Sequence, residues 1–164
     1  MYMHLLIYKH EHLINGLKNF KGAGIMYNSN MEFKKRRFIE ICNNNFGIGS
    51  IHIELNVNCM ALIPSIEDMH YEVEKFIRKI KVHYSDFMYI ATITKLGAGN
   101  FRCNMLCNPD ISENDLNLWN NGNAHKDKIN SFDVLDEFIE VLVSGMQSNS
   151  YMRSKNLRII KEMY

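Results

Sequence analysis

Apolar and polar residues alternate along three segments in the middle of the chain. In IHIELNVN, residues 51–58, apolar side chains occupy every second position, which is the period of a half-buried strand. DFMYIATIT, residues 86–94, has apolar residues on both faces and resembles a central strand. NFRCNMLCN, residues 100–108, alternates again after a short glycine turn. We therefore predict three neighbouring strands, the last two joined as a hairpin, with core faces that carry Ile53, Leu55, Ala91, Ile93, Cys103 and Met105.

Helical periodicity marks the segments on either side of the first strand. Ser65, just after Pro64, has Asp68 three residues further on, the spacing of a capping box. An apolar stripe follows and predicts a helix from Ile66 to about Val82. Upstream, MEFKKRRFIEI, residues 31–41, places its phenylalanines and Ile41 near helical spacing and predicts an earlier helix.

The C-terminal third contains two more helix starts and a short strand. Ser112 with Asp115 begins a short helix that Gly122 ends. AHKDKI, residues 124–129, is expected to add an edge strand. Ser131 then begins a last and very apolar helix.

These elements predict an α+β fold, an antiparallel sheet with helices packed mainly on one face. Such a fold leaves the second face of the sheet open, and an open polar face is a common place for a site. The alternation predicts that this face displays His52, Glu54, Asn56, Thr92, Thr94, Asn100, Arg102 and Asn104.

Composition limits the class of protein. The chain has 164 residues, 46% of them hydrophobic, and only two prolines, so we predict a single domain over residues 1–164. The opening apolar run is too short to span a membrane and follows no basic stretch, which predicts a cytoplasmic protein without membrane association. The four cysteines form no CxxC pair, and we expect reduced core thiols.

Charge and candidate ligands narrow the function further. A net charge of +1 argues against a protein that coats nucleic acid by electrostatics alone, so any binding must be local. The run Lys34–Arg37 is either a solvated helix face or a phosphate-binding patch. His10 and His12 have the spacing of two ligands on one strand, but no third ligand is evident, so no metal or cofactor is predicted.

Residues 33–159 resemble the catalytic domain of the rolling-circle replication initiators of plasmids and phages, the His-hydrophobe-His endonucleases. In that family a strand precedes a helix F-x-x-F-I-R-R-L, and here IHIELNV precedes VEKFIRKIK. The family continues with Y-I-A-V-x-E, G-x-x-H-x-H, I-S-E-E-x-L-x-x-L-W-x-x-G, Y-I-x-K-Y-x-x-K and Y-x-x-S-R-x-L. This chain offers YIATIT, GNFRCN, ISENDLNLWNNG, EFIEVLVSG and YMRSKNL in the same order. The resemblance implies a replication-initiator fold of ferredoxin-like or RRM-like type.

The same resemblance implies that the catalytic residues are missing. The metal-binding glutamate of the family falls on Thr94, and its two histidines fall on Arg102 and Asn104. Its nucleophilic tyrosine falls on Phe138 or on Leu142. A guanidinium has no lone pair to donate, and neither a phenylalanine nor a leucine can attack a phosphate. The chain is therefore predicted to be a pseudoenzyme that neither binds a divalent ion at these positions nor nicks DNA.

One hypothesis for the function is nucleic-acid binding without cleavage, in the setting of a plasmid or phage. A fixed guanidinium in place of the metal keeps a positive charge for the phosphate of DNA or RNA and removes catalysis. The candidate contacts are Arg102, Asn104, Asn56, Lys34, Lys35, Arg36, Arg37, Lys126, Lys128, Arg153 and Lys155.

The alternative is a protein-binding inhibitor of a host nucleic-acid enzyme, for instance an antidefence factor of the anti-CRISPR kind. In its favour are the nearly neutral charge and an apolar ridge on the last helix. The ridge either contacts a partner or a second copy of the chain, or joins the core. Its residues are Leu135, Phe138, Leu142 and Met146.

Overall fold

The fold consists of one antiparallel sheet with helices on both faces. The computed structural model describes residues 29–57, 63–97, 100–146 and 151–159. Cys59 and the His10–His12 pair lie outside the described residues. The elements are α1 (Ser29–Asn45), β1 (Ile51–Asn56), α2 (Ile66–His83), β2 (Met88–Gly97), β3 (Asn100–Asn108), α3 (Glu113–Leu116), β4 (Ala124–Lys128), α4 (Phe132–Ser144) and β5 (Tyr151–Arg153).

The five strands lie in the order β4-β1-β3-β2-β5, and every neighbouring pair is antiparallel. The three strands predicted as neighbours are confirmed, with Ile53 opposite Met105 and Met105 opposite Ala91. From β1 to β4 the connectivity is β-α-β-β-α-β. The short strand β5, which the sequence pattern did not predict, extends the sheet beyond β2.

Serine side chains begin three of the helices, as predicted. The Ser65 hydroxyl accepts a hydrogen bond from the backbone N–H of Asp68 at 3.1 Å, and α2 runs one residue beyond its predicted end. Ser112 and Ser131 cap α3 and α4 in the same way. These caps satisfy N–H groups that have no partner within the helix, so the polar pattern alone located the helix starts.

The first face of the sheet is apolar along β1, β2 and β3 and is covered by α2. Ile53, Met105 and Cys103 are fully buried against the inner side of this helix, which contributes Phe76 and Ile80. The predicted register of the three strands is therefore confirmed.

The second face is also covered, which contradicts the prediction that helices pack mainly on one face. Ile90 and Leu106 point to this face and pack with buried residues of α1 and α4. The two central strands thus carry apolar residues on both sides, which is typical of a sheet buried between two layers. The polar residues of β1 favoured the prediction of an open face, and the second core was therefore not predicted.

The described cysteines are buried free thiols, as expected for Cys42, Cys103 and Cys107. Burial raises the pKa of Cys103 to about 12 and raises the pKa of the other two as well, so these thiols are not nucleophiles. Among the helices described, none is both long and apolar enough to traverse a lipid bilayer.

Candidate nucleic-acid interface

Polar residues form two adjoining rows across the second face. Thr94 of β2 lies opposite Arg102 of β3, which lies opposite Asn56 of β1. The next row contains Thr92, Asn104 and Glu54. Side chains of directly opposed residues point to the same face, so the positions singled out by the family resemblance do come together.

Arg102 is held by two neighbours in the sheet. Its Nε donates to the Asn56 Oδ1 at 3.0 Å, and its Nη1 lies 3.3 Å from the Glu54 Oε2. Asn56 also donates to Glu54, at 2.7 Å, so the three side chains form one network. The Arg102 side chain is 40% exposed. Its charge is balanced by a carboxylate, which weakens its attraction for a phosphate.

Asn104 is buried, with 3% of its surface exposed, and it contacts His52. Its Oδ1 lies 3.2 Å from the His52 Nε2, and the Phe138 ring stacks on the imidazole with centroids 4.0 Å apart. Burial lowers the pKa of His52, although the Asn104 contact and the nearby Asp127 oppose that shift. The opposite Nδ1 has no hydrogen-bond partner and lies 4.0 Å from Asp127.

The last helix closes this face, which was predicted to be open. A Cβ at Gly145, directly after α4, would lie 2.6 Å from the Thr94 Oγ1 and 2.9 Å from the Thr92 Oγ1. Only a residue without a side chain allows the chain to approach the sheet so closely. His52, Thr92 and Asn104 are buried as a result, and Asn104 offers no amide to an external ligand.

The apolar ridge of α4 belongs to the core. Leu135, Leu142 and Met146 are buried in the second core, and Phe138 is half-buried on His52. Of the two alternatives for the ridge, its membership of the core is therefore the one that the structure supports, because the second face supplies the contacts of these residues.

The positions to which the resemblance assigns metal ligands thus lie beside a closed contact. Phe138 and Leu142 sit where the resemblance places the nucleophile, and Phe138 fills the space over β1. Within the described ranges, no three His, Cys, Asp or Glu side chains are grouped so that they could hold a metal ion.

Two of the predicted phosphate contacts lie on the opposite side of the sheet from Arg102. Lys126 is paired with Ile53, and Lys128 with Ile51, which places both lysines on the first face. Lys126 also forms ion pairs with Asp110 at 3.0 Å and Glu113 at 3.4 Å. These two lysines and Arg102 therefore cannot contact the same short stretch of nucleic acid.

The segments that carry the remaining predicted cations lie side by side. The Phe38 ring of α1 packs edge-on against Tyr151 of β5, with centroids 5.1 Å apart. Asn45, at the end of α1, exchanges two hydrogen bonds with the backbone of Arg158. Arg153 lies over the Tyr151 ring at 5.9 Å. We call this the α1–β5 basic surface, and its cations are Lys34, Lys35, Arg36, Arg37, Arg153, Lys155 and Arg158.

This surface concentrates the positive charge of the chain. Residues 29–45 and 151–159 contain seven lysines and arginines and only two carboxylates, a formal charge of +5 in a chain whose total is +1. Arg36, Arg153, Lys155 and Arg158 are exposed. Arg158 was missed by sequence reasoning, although the absence of any carboxylate from residues 151–159 is a visible signal.

No family model, curated protein or solved structure matches this chain. Its function therefore has to be inferred from the geometry and charge of its own residues.

Proposed function

We propose that this protein is a non-catalytic nucleic-acid-binding domain and that the α1–β5 basic surface contacts the phosphate backbone. The observation that carries the proposal is the charge of +5 on two segments that the Phe38–Tyr151 and Asn45–Arg158 contacts bring together. Phosphate contacts supply most of the affinity in sequence-independent binding. A local patch of this kind reconciles nucleic-acid binding with a nearly neutral chain.

The resemblance to replication initiators fits this proposal. The β-α-β-β-α-β connectivity with strand order β4-β1-β3-β2 supports the ferredoxin-like architecture that the resemblance implies. Thr94 and Arg102 are cross-strand neighbours, and Phe138 lies over the same face of the sheet. In this proposal the domain keeps the initiator architecture, and its catalytic positions have become part of a packed interior. A plasmid or phage origin remains its natural setting.

The binding proposal is tested by fluorescence anisotropy with labelled single-stranded, hairpin and duplex DNA and single-stranded RNA. The test variant replaces Arg36, Arg153 and Arg158 by glutamine. Each phosphate contact contributes about 0.9 to the salt slope for duplex DNA and about 0.7 for single strands. The triple variant should therefore bind more weakly and show a slope reduced by about 2 to 3.

A matched control removes three exposed cations from the other side of the molecule. Arg78 and Lys81 lie on α2, and Lys128 lies on the first face of β4. Their replacement by glutamine changes the net charge equally and should leave most of the affinity. An equal loss in both variants would show that net charge, and not this surface, governs binding. Absence of affinity for every probe at low salt would overturn the proposal.

The non-catalytic part of the proposal has its own test. Isothermal titration with Mn²⁺ and a nicking assay on supercoiled plasmid should show neither binding at the Thr94, Arg102 and Asn104 positions nor cleavage. The missing metal ligands and nucleophile give the reason. A metal-dependent nick that disappears in Asn104→Ala would contradict the pseudoenzyme assignment.

The alternative is an inhibitor that docks on a host nucleic-acid enzyme. The apolar ridge that favoured this hypothesis is not exposed. Leu135 and Leu142 are buried, so they offer no contact to a partner. If the wild-type protein binds no nucleic acid at low salt, the inhibitor hypothesis becomes the leading one.

A further inference from the structure

The two helices that cover the second face carry opposite charges. α1 contains four cations and two carboxylates. α4 contains four carboxylates and no lysine or arginine. The two helices pack beside each other on the sheet, so this side of the molecule has a basic half and an acidic half.

The outward residues of both helices are exposed. On α1 these include Phe33, 53% exposed, and Arg36. On α4 they include Asp133, Glu137 and Glu140, together with Val141, which is 42% exposed. Each half thus combines exposed charges with an apolar side chain, and apolar contacts bordered by charged groups are typical of protein interfaces.

We propose that this outer layer binds a second copy of the chain in a two-fold dimer. A two-fold axis between two such layers places the basic α1 of each copy over the acidic α4 of the other. Every contact is then made twice, which is the usual geometry of a homodimer. Charge complementarity identifies the occupant, because the chain carries both halves of the matching pair side by side.

Dimer formation regulates nucleic-acid binding at the proposed site. Arg36 belongs to both surfaces, so the partner's α4 covers part of the α1–β5 basic surface and competes with phosphate for it. Nucleic acid should therefore dissociate the dimer, and higher protein concentration should weaken apparent binding. This regulatory step rests on the proposed function, whereas the self-association does not.

Sedimentation velocity without nucleic acid tests the self-association. At low ionic strength the wild type should show a concentration-dependent dimer. At about 1 M salt, where the Debye length is about 3 Å, the dimer should dissociate. Arg36→Glu/Arg37→Glu and Glu137→Lys/Glu140→Lys should each be monomeric, because like charges then face each other across the interface.

Mixing these two variants is the decisive measurement. At positions 36, 37, 137 and 140 one variant carries only acids and the other only bases, so an equimolar mixture should form a heterodimer that neither forms alone. Circular dichroism and urea midpoints close to wild type establish that both variants are folded. The control Glu67→Lys/Glu74→Lys makes the same charge change on the exposed side of α2 and should still dimerise with its own kind.

Three results would overturn the dimer. They are a wild type that is monomeric at low salt, a mixture that remains monomeric, and a control that loses self-association as completely as the α4 variant. The anisotropy assay decides the regulatory part separately. Wild-type binding that weakens as the protein concentration rises, and binding by Glu137→Lys/Glu140→Lys that does not, fit competition, whereas a wild-type affinity for DNA that is independent of protein concentration contradicts it.

Discussion

The two faces of the sheet are both buried, but by different chemistry. On the first face the central strands present Ala91, Ile93, Cys103 and Met105 to α2, and none of them brings a charged or amide group. On the second face Thr92, Asn104 and His52 lie under α4 among apolar neighbours. The first face is built for burial of apolar area, and the second combines burial with polar groups that need partners.

This difference predicts an unequal contribution to stability. A buried polar atom without a hydrogen bond costs about 1–3 kcal/mol. Both described atoms of this kind, the His52 Nδ1 and the Thr92 Oγ1, lie on the second face. Apolar burial on the first face carries no such cost, so we expect it to dominate the free energy of unfolding.

The largest effect is expected from Phe76→Ala in α2. The Phe76 ring is fully buried and packs edge-on against Trp119 at 6.1 Å, so its removal leaves a cavity. We expect a loss of about 3–5 kcal/mol in the free energy of unfolding, measured by urea denaturation. Tyr71→Ala on the same helix is the control, because Tyr71 is 57% exposed and its loss should cost little. A small effect of Phe76→Ala would refute the dominance of the first face.

Gly145→Ala probes how tightly the second face is closed. The added Cβ would lie 2.6 Å from the Thr94 Oγ1, closer than van der Waals contact allows, so the threonine side chains, α4 or the sheet must move. We expect a loss of about 1–3 kcal/mol in urea denaturation. Gly47→Ala is the control, since a Cβ added there would meet nothing within 4 Å. Equal stability of the two variants would show that α4 packs loosely.

His52 should make stability depend on pH. Because burial lowers its pKa in the folded state, the unfolded chain binds the proton more readily below about pH 6.5. Stability is therefore complete above that pH and decreases as the pH falls towards the folded pKa, by at most about 1.4 kcal/mol per pH unit. Urea midpoints should show a shallower pH dependence for His52→Gln.

The exposed His125 supplies the control for that measurement. His125→Gln removes an imidazole that pairs with the same Asp127 but lies at the surface, and it should retain the wild-type pH dependence. If His52→Gln and the wild type lose stability in parallel as the pH falls, burial of the imidazole is not the cause.

The smallest effect is expected from Arg102→Gln. The side chain is 40% exposed, and its ion pair with Glu54 is worth no more than about 1 kcal/mol at such a site. A double-mutant cycle with Glu54→Gln should give a coupling energy of about 0.2–1 kcal/mol. Affinity for nucleic acid should also fall less than in the Arg36, Arg153 and Arg158 variant. A loss of affinity larger than that of the triple variant would indicate that Arg102 contacts the phosphate directly.

The helices and strands were predicted from sequence because capping and side-chain periodicity depend on residues that are close together along the chain. Serine caps and helical spacing located the start of α2 within the chain, and period-two alternation gave the register of β1, β2 and β3. The layer on the second face was not predicted, although β2 has apolar residues on both faces, because polar residues of β1 and β3 such as Glu54 and Arg102 indicated an open face. The partners of Ile90 and Leu106 come from α1 and α4, far away in sequence.

Only part of the candidate site was predicted, because contacts between residues distant in sequence also form this site. Sequence identified most cations of the α1–β5 basic surface but could not group them, since the Phe38–Tyr151 contact joins residues separated by more than a hundred positions. It also placed Lys126 and Lys128 with them, although strand pairing turns those lysines to the other face. Which cations share a surface depends on tertiary contacts.

The stack of Phe138 on His52 has a consequence for how such a domain evolves. If the chain descends from an active endonuclease, reversion of Thr94, Arg102 and Asn104 to metal ligands would not by itself recover the enzyme. A ligand at position 104 would still lie beneath α4, where 3% of the present side chain is exposed and substrate has no access. Reversion would also require a tyrosine at 138 or 142 and a displaced helix, and displacement of the helix removes core contacts. In such a lineage, a helix packed over the former site would make the loss of activity hard to reverse.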